Sequence, residues 1–358
     1  MADFDGMVEL TRGLIDSSAQ APPEIRAKLL PEFLGTFQRL LIAPLESQLA
    51  GRRRLILFPD GLLNFMPFEA LPDAGGRRLV ERFEVRYCQS AAVWQALHAR
   101  RFPTEGRLPF FGMGGAVFHA MQETAPPVAN QTRLVELQLR AQANVAANRP
   151  QREVFAALFG TKPMDYLKGS LTEVQALAKI FPAATVFTGT DMPENRIKAM
   201  ARDGSLRRYR VIHLATHGFA LPDVPELSGV AMSIFPTAQD GEDGYLTVPE
   251  IARLGLQADI AVLSACETGL GRIYGGEGVA GLTGALLLGG ANRALVSLWP
   301  VSDAGTMIFM RELYALTTAG GKSYDEAVNL VKRSFIAGKY GEEFRDLHIW
   351  APFIHYGL

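Results

Sequence analysis

Cysteine is nearly absent: the 358 residues contain only Cys88 and Cys266. Two thiols cannot form a disulfide framework, so a reducing compartment is expected and each thiol needs its own explanation. A dominant charge sign is also missing, since 36 Lys and Arg face 37 Asp and Glu for a net charge of −1. No broad basic field exists to attract nucleic acid or an anionic membrane, and Arg52-Arg53-Arg54 reads as a solvated strand flank. No run approaches the ~20 apolar residues of a membrane span. The best candidate, Val279–Ala291, is short and rich in glycine. The amino-terminal stretch carries Asp3, Asp5, Glu9 and Asp16 and no apolar core, so no secretory signal is read. Internal repeats and low-complexity tracts are lacking too. These absences predict a cytoplasmic protein with no nucleic-acid or membrane partner.

What remains is ordinary globular material. Hydrophobic residues make up 48% and charged residues 20%, enough for a large core in one domain or two. A helix is expected after Pro22-Pro23, a strand at Leu55–Phe58, and a helix Ala91–Ala99 capped by Ser90. Residues 1–105 form one expected domain, an α/β part, and 106–358 the other. Leu108–Gly115 reads as a buried strand. Residues 117–169, rich in Ala, Gln and Asn, read as an exposed insertion. From Ser170 strands and helices alternate. Ser170-Leu171-Thr172-Glu173 matches a capping box. Strands follow at Ala184–Thr188, Tyr209–His217, Asp259–Cys266, Arg293–Trp299 and Trp350–Tyr356, with a possible edge strand at Val230–Phe235. Helices are expected near Glu194–Arg202, Val248–Leu254, Val279–Leu288, Asp303–Ala315 and Tyr324–Ile336. Such alternation implies right-handed crossovers and a mostly parallel sheet.

In that architecture the site lies at the carboxyl ends of the strands. His217 ends one apolar strand and Cys266 ends another. Neighbouring strands lie ~4.8 Å apart, so imidazole and thiol can meet without being close in sequence. A thiolate is the nucleophile, and an imidazole favours it and then protonates the leaving amine. Gly218 lets a carbonyl approach, and its N–H with that of Cys266 forms an expected oxyanion hole. Glu267 opens the run Glu267-Thr268-Gly269-Leu270-Gly271 that would wall the nucleophile. A lone Cys ending an apolar strand is ordinarily a buried small hydrophobe. Here the histidine lies 49 positions upstream, close to the ~50 of caspase-type sites. His213, on the same strand face but deeper, reads as a hydrogen-bonded core histidine.

His213-Leu214-Ala215-Thr216-His217-Gly218 and Leu263-Ser264-Ala265-Cys266-Glu267-Thr268-Gly269 resemble the two signature motifs of the CHAT domain. That family belongs with the caspase-like peptidases related to separase, metacaspases and gingipains. Asp243-Gly244-Tyr245-Leu246-Thr247, Gly276-Glu277-Gly278-Val279, Ser297–Asp303, Trp350-Ala351-Pro352-Phe353 and residues 54–72 extend the likeness over most of the chain. The resemblance implies a caspase-like three-layer sandwich: a mostly parallel central sheet with helices on both faces. It implies a cysteine endopeptidase with a His217–Cys266 dyad, no cofactor and no metal, acting on a protein substrate in a regulated bacterial defence or cell-death pathway. Asp303 matches the position that, in separase-like proteins, holds a basic side chain before the scissile bond. Its other reading is a helix cap. Glu277, Trp299 and Glu267 complete the expected substrate contacts, and cleavage after Arg or Lys follows from Asp303 and Glu277. CHAT domains are often fused to tetratricopeptide or other sensor repeats. None is visible here, so a separate regulatory or sensor protein is an expected partner.

Other readings carry less. Gly276-Glu277-Gly278-Val279-Ala280-Gly281 matches a dinucleotide fingerprint, but no strand immediately precedes it and no acidic residue ends the next strand. His213 and His217 would lie about 13 Å apart along a strand, with no third ligand cluster, which argues against zinc. Ser264 is in no G-x-S-x-G elbow. The serious rival is a caspase-like interaction scaffold.

Overall fold

The computed structural model describes residues 4–16, 22–119, 155, 163–219, 221, 224–264 and 277–358. The strands are β1 (Arg54–Leu57), β2 (Glu84–Tyr87), β3 (Leu108–Ala116), β4 (Thr185–Gly189), β5 (Tyr209–Ala215), β6 (Gly218–Phe219), β7 (Gly229–Ala231), β8 (Tyr245–Thr247), β9 (Ile260–Ser264), β10 (Arg293–Ser297) and β11 (Phe353–Gly357). Eight of them make one sheet in the order β1-β2-β11-β10-β9-β5-β3-β4. The fold is therefore α/β with a mostly parallel central sheet, as the alternating pattern predicted. Of the registered pairs in that sheet, only β10 with β11 is antiparallel.

The chain divides into two compact units: Met1–Arg101 with Arg293–Leu358, and Phe102–Asn292. Arg293–Leu358 thus groups with the first hundred residues. The reason is non-local pairing, since β11 runs parallel to β2 through Tyr356↔Tyr87 and antiparallel to β10.

In the first unit, helix Ala91–Ala99 starts where Ser90 Oγ accepts from the Val93 N–H at 3.2 Å. Helix Tyr324–Ile336 lies along β2. Its Asn329 accepts from Val85 N–H at 2.9 Å and donates to Val85 C=O at 3.2 Å. Lys332 of the same helix is fully buried with its ammonium 2.6 Å from Glu69, which also accepts from Tyr87. Trp350 closes a helical turn, Leu347–Trp350, so the terminal strand starts only at Phe353.

In the second unit, helix Lys168–Ala178 lies unusually close to β3. A Cβ at Gly114 would sit 2.5 Å from Ser170 O and 2.8 Å from Val174, so only glycine permits the approach. The expected capping box is not formed. Leu167 is the cap residue, Ser170 sits inside the helix, and its Oγ accepts from Gly115 N–H at 2.9 Å. Glu173 faces tertiary partners instead of the helix start. β6, β7 and β8 form a separate antiparallel sheet, and the edge strand expected at Val230–Phe235 is this short β7.

Of the described residues in 117–169, His119, Pro163, Asp165, Tyr166 and Lys168 are exposed as expected, and Phe155 is the exception. Phe155 is fully buried, stacked on Tyr245 at 4.1 Å and edge-on to Phe219 at 5.6 Å. Val117 and His119 bond the backbone of Ile234.

Candidate functional site

β5 and β9 are parallel neighbours whose last registered pair is Ala215↔Ser264. β5 ends two residues earlier than read from sequence, and the described part of β9 runs to Ser264. His217 therefore follows its strand end by the same two positions as Cys266 follows Ser264. Cys266 and Glu267 lie outside the described residues.

The backbone around His217 is pinned by β7. Thr216 Oγ1 donates to Ala231 O at 2.5 Å, and Ala231 N–H donates to His217 O at 2.8 Å. Gly218 is buried and begins β6 opposite Val230. The imidazole is buried, with the Phe118 ring centred 5.2 Å away. Its Nε2 lies 2.7 Å from the carbonyl oxygen of Asp165. A carbonyl only accepts, so Nε2 carries the proton and Nδ1 is the basic nitrogen. Burial pushes the His217 pKa down, against smaller upward pulls from that carbonyl and from the Asp165 carboxylate. The imidazole thus favours its neutral form, with Nε2–H donated to Asp165. Asp165 comes from the region read as an insertion, and a backbone acceptor leaves no mark on a sequence pattern.

Behind His217, His213 is fully buried with Nε2 2.8 Å from Glu173 Oε1, as expected of a core histidine. Ser264 Oγ donates to the other Glu173 oxygen at 3.0 Å. This triad was not read from the sequence, where Glu173 looked like a capping residue.

The substrate-contact candidates sit on different elements. Glu277 is the first residue of helix Glu277–Leu288. Asp303 is exposed in the first turn of helix Asp303–Thr318, but Ser302 is the cap, accepting from Gly305 N–H at 3.2 Å. The cap reading of Asp303 is thereby replaced by its neighbour. Trp299 is fully buried, and its indole N–H donates to His348 O at 2.9 Å. That ring is a core element of its unit.

A further cluster was missed. Glu194, Glu242 and Glu250 have carboxylate oxygens within 4.8 Å of one another, a metal-like spacing. The Lys198 ammonium lies 2.5, 2.5 and 2.6 Å from them and takes the place of a cation. Burial opposes the Lys198 charge, yet the hydrogen bonds to the three carboxylates hold its pKa above the usual range. Burial and the adjacent Asp243 push Glu194 up to about 8, and burial pushes Asp243 to about 6. Glu194 also accepts from Gly244 N–H at 2.9 Å, and Asp243 from Tyr245 N–H at 2.8 Å. The cluster thus straps the chain entering β8 to helix Glu194–Arg202. Its sequence trace was only the i, i+4 pair Glu194/Lys198, which looks like any surface pair.

Comparison with known proteins gives consistent matches. The CHAT domain profile matches residues 31–358. Tetratricopeptide repeat protein 28 of Mus musculus is 25% identical over 350 residues, covering 92% of this chain and 14% of that protein. The Homo sapiens protein of the same name is 25% identical over 319 residues, covering 82% and 12%. The chain thus spans only a small part of these relatives. Among solved structures, the Saccharomyces cerevisiae separase–securin complex aligns with TM-score 0.42 and 14% identity, over 83% of this chain and 15% of that one. The Arg-specific cysteine proteinase gingipain R aligns with TM-score 0.48 and 11% identity, over 99% and 74%.

Proposed function

The chain belongs to the CHAT domain family, and from that premise we propose that it is a caspase-like cysteine endopeptidase acting through His217 and Cys266. The observation that carries this reading is the state of His217. It is buried, its Nε2–H is committed to the Asp165 carbonyl, and its basic Nδ1 sits just beyond the strand end. Cys266 follows the adjacent parallel strand at the same offset. In the proposed reaction Nδ1 takes the thiol proton and the Cys266 sulfur attacks the scissile carbonyl carbon. The N–H groups of Gly218 and Cys266 hold the oxyanion. The C–N bond breaks as Nδ1–H protonates the amine, and water, deprotonated by the same nitrogen, hydrolyses the thioester.

Asp303, Glu277 and Glu267 remain the proposed contacts for a basic side chain before the scissile bond, without Trp299, whose ring is enclosed. The proposed setting is a regulated proteolytic pathway in the cytoplasm, in defence or cell death, with a separate sensor as partner. No helix among the described residues is long and apolar enough to cross a membrane. The test is labelling by a thiol-directed peptide warhead with Lys or Arg next to the reactive group, with cleaved protein ends identified in parallel. Wild type should label and cleave, and Cys266→Ala and His217→Ala should do neither. A preference for Asp or small apolar residues would reject the basic pocket alone.

The match to tetratricopeptide repeat protein 28, of which this chain covers 14%, favours a second reading as a non-catalytic module attached to repeats. Wild type that neither labels nor cleaves, with or without candidate partners, would support it.

A further inference from the structure

The buried group that the proposed reaction leaves unused is Glu173. Its side chain is 6% exposed, and it projects from helix Lys168–Ala178, which the side-chain-free surface of Gly114 and Gly115 lets close onto β3. One carboxylate oxygen is 2.8 Å from His213 Nε2 on β5, the other accepts from Ser264 Oγ on β9 at 3.0 Å. His213 precedes His217 by four residues and Ser264 precedes Cys266 by two. Side chains alternate along a strand, so His213 and Ala215 share a face with Ser264, the register partner of Ala215. Glu173 grips that face on both strands just below the two tips.

We propose that Glu173 is a positioning residue that clamps the ends of β5 and β9 together and so fixes the separation of the His217 imidazole and the Cys266 thiol. The inference rests on the dyad reading above. A parallel pair is held along its length by the backbone ladder, and Ala215↔Ser264 is its last registered pair among the described residues, so a tie at this level acts on both strands close to the two site residues. A buried carboxylate with two charge-assisted bonds supplies a stiff cross-strand tie, since both bonds are stronger in a dry environment than on a surface. The tie also explains why a carboxylate is buried here at all, as an uncompensated one would be expelled or neutralised. His213, the first histidine of its motif, then serves the second one at a distance, holding β5 through Glu173 without touching substrate.

The experiment reads the thiol and not only peptide cleavage. The rate of Cys266 alkylation by iodoacetamide is followed against pH by peptide mass, in wild type, His217→Ala, Glu173→Gln, Glu173→Leu and Ser264→Ala. Circular dichroism and melting establish that each variant is folded. In wild type the imidazole, acting as base, should speed alkylation near neutral pH, and His217→Ala should lose that gain. Glu173→Leu should resemble His217→Ala, with the neutral-pH rate down by about 10–100-fold, the cost of misplacing a partner by an ångström or so. Ser264→Ala, which removes only the β9 arm, should fall between, and Glu173→Gln, which keeps size and an acceptor oxygen, should stay near wild type. If peptide cleavage is found, kcat per warhead-titrated site should fall in Glu173→Leu with KM unchanged, whereas a merely structural residue would lower the number of titrated sites and leave kcat per site intact. Folded Glu173→Leu and Ser264→Ala with wild-type alkylation profiles overturn the clamp while leaving the dyad standing. Identical profiles for wild type and His217→Ala overturn the dyad itself, and the clamp with it.

Discussion

Replacing Lys198 by Met removes the single positive charge among Glu194, Glu242 and Glu250. The ammonium now lies 2.5–2.6 Å from all three carboxylates, and its side chain is 17% exposed. Without it the carboxylates, packed within 4.8 Å, must take up protons or repel one another. Glu194 already tends to hold a proton, since burial and Asp243 push it up to about 8, so the new cost falls on Glu242 and Glu250. A carboxylate cluster that has lost its cation is relieved by protons, which are scarcer at pH 8 than at pH 5, so the penalty grows with pH. Both side chains are 21% exposed, and water recovers part of that. Breaking a buried ion pair costs ~3–5 kcal/mol, and the lower end suits this site. At ~2–4 °C per kcal/mol, Lys198→Met should melt roughly 10 °C below wild type at pH 8 and within about 3 °C at pH 5. Calorimetry of both proteins at the two pH values makes the measurement. An equal deficit at both, or a larger one at pH 5, refutes the assignment of Lys198 as the counter-ion of this cluster.

Three further outcomes follow from the same kind of reasoning. Glu194 has its folded pKa raised to about 8 and Asp243 to about 6, so their contribution is complete below the unfolded values near 4 and is lost as pH rises through 6 and then 8. Wild-type melting temperature should fall across that window, and Glu194→Gln should flatten the upper part; a rising profile contradicts both shifts. Lys332→Met leaves Glu69, 1% exposed, without its cation and should cost ~3–5 kcal/mol in denaturant unfolding, with most of it recovered in Lys332→Met/Glu69→Leu; a single-mutant loss below about 1 kcal/mol argues that the pair is not buried as described. Gly114→Ala puts a methyl 2.5 Å from Ser170 O and 2.8 Å from Val174 and should cost ~1–3 kcal/mol through displacement of helix Lys168–Ala178, whereas Gly284→Ala, with nothing among the described residues within 4 Å of its Cβ, should gain up to ~1 kcal/mol.

The elements that were legible in the sequence are those whose signals are local. β5, β9 and β10 are apolar runs because a parallel strand is covered on both faces, and Ser90 caps its helix through a bond three residues long. The failures are all non-local. Ser170 and Glu173 have the spacing of a capping box, yet Gly115, His213 and Ser264 compete for the same side chains and win. β11 joins the first hundred residues through Tyr356↔Tyr87, a pairing no window of sequence contains. Phe155 lies in a stretch of low apolar density but supplies the ring that fills the space between Phe219 and Tyr245. At the candidate site, residue type singled out His217 because histidines are few and the strand before it is apolar. Its partner Asp165 was invisible because the contact uses the main-chain carbonyl and would be the same for almost any side chain.

That carbonyl has a chemical consequence if the dyad operates as proposed. A carboxylate at Nε2 would stabilise the imidazolium and raise the His217 pKa, favouring a resting thiolate–imidazolium pair. Here a neutral carbonyl orients the ring, the Asp165 carboxylate adds only a lesser Coulombic pull upward, and burial outweighs both, so the net shift is downward. The proton taken from Cys266 is then held loosely, and its transfer to the departing amine is favoured. The cost is a smaller resting fraction of thiolate, which places the burden of reactivity on the distance between Nδ1 and sulfur. A dyad oriented in this way depends on how firmly its two strand tips are held, and in this chain the side chain placed to hold them is Glu173.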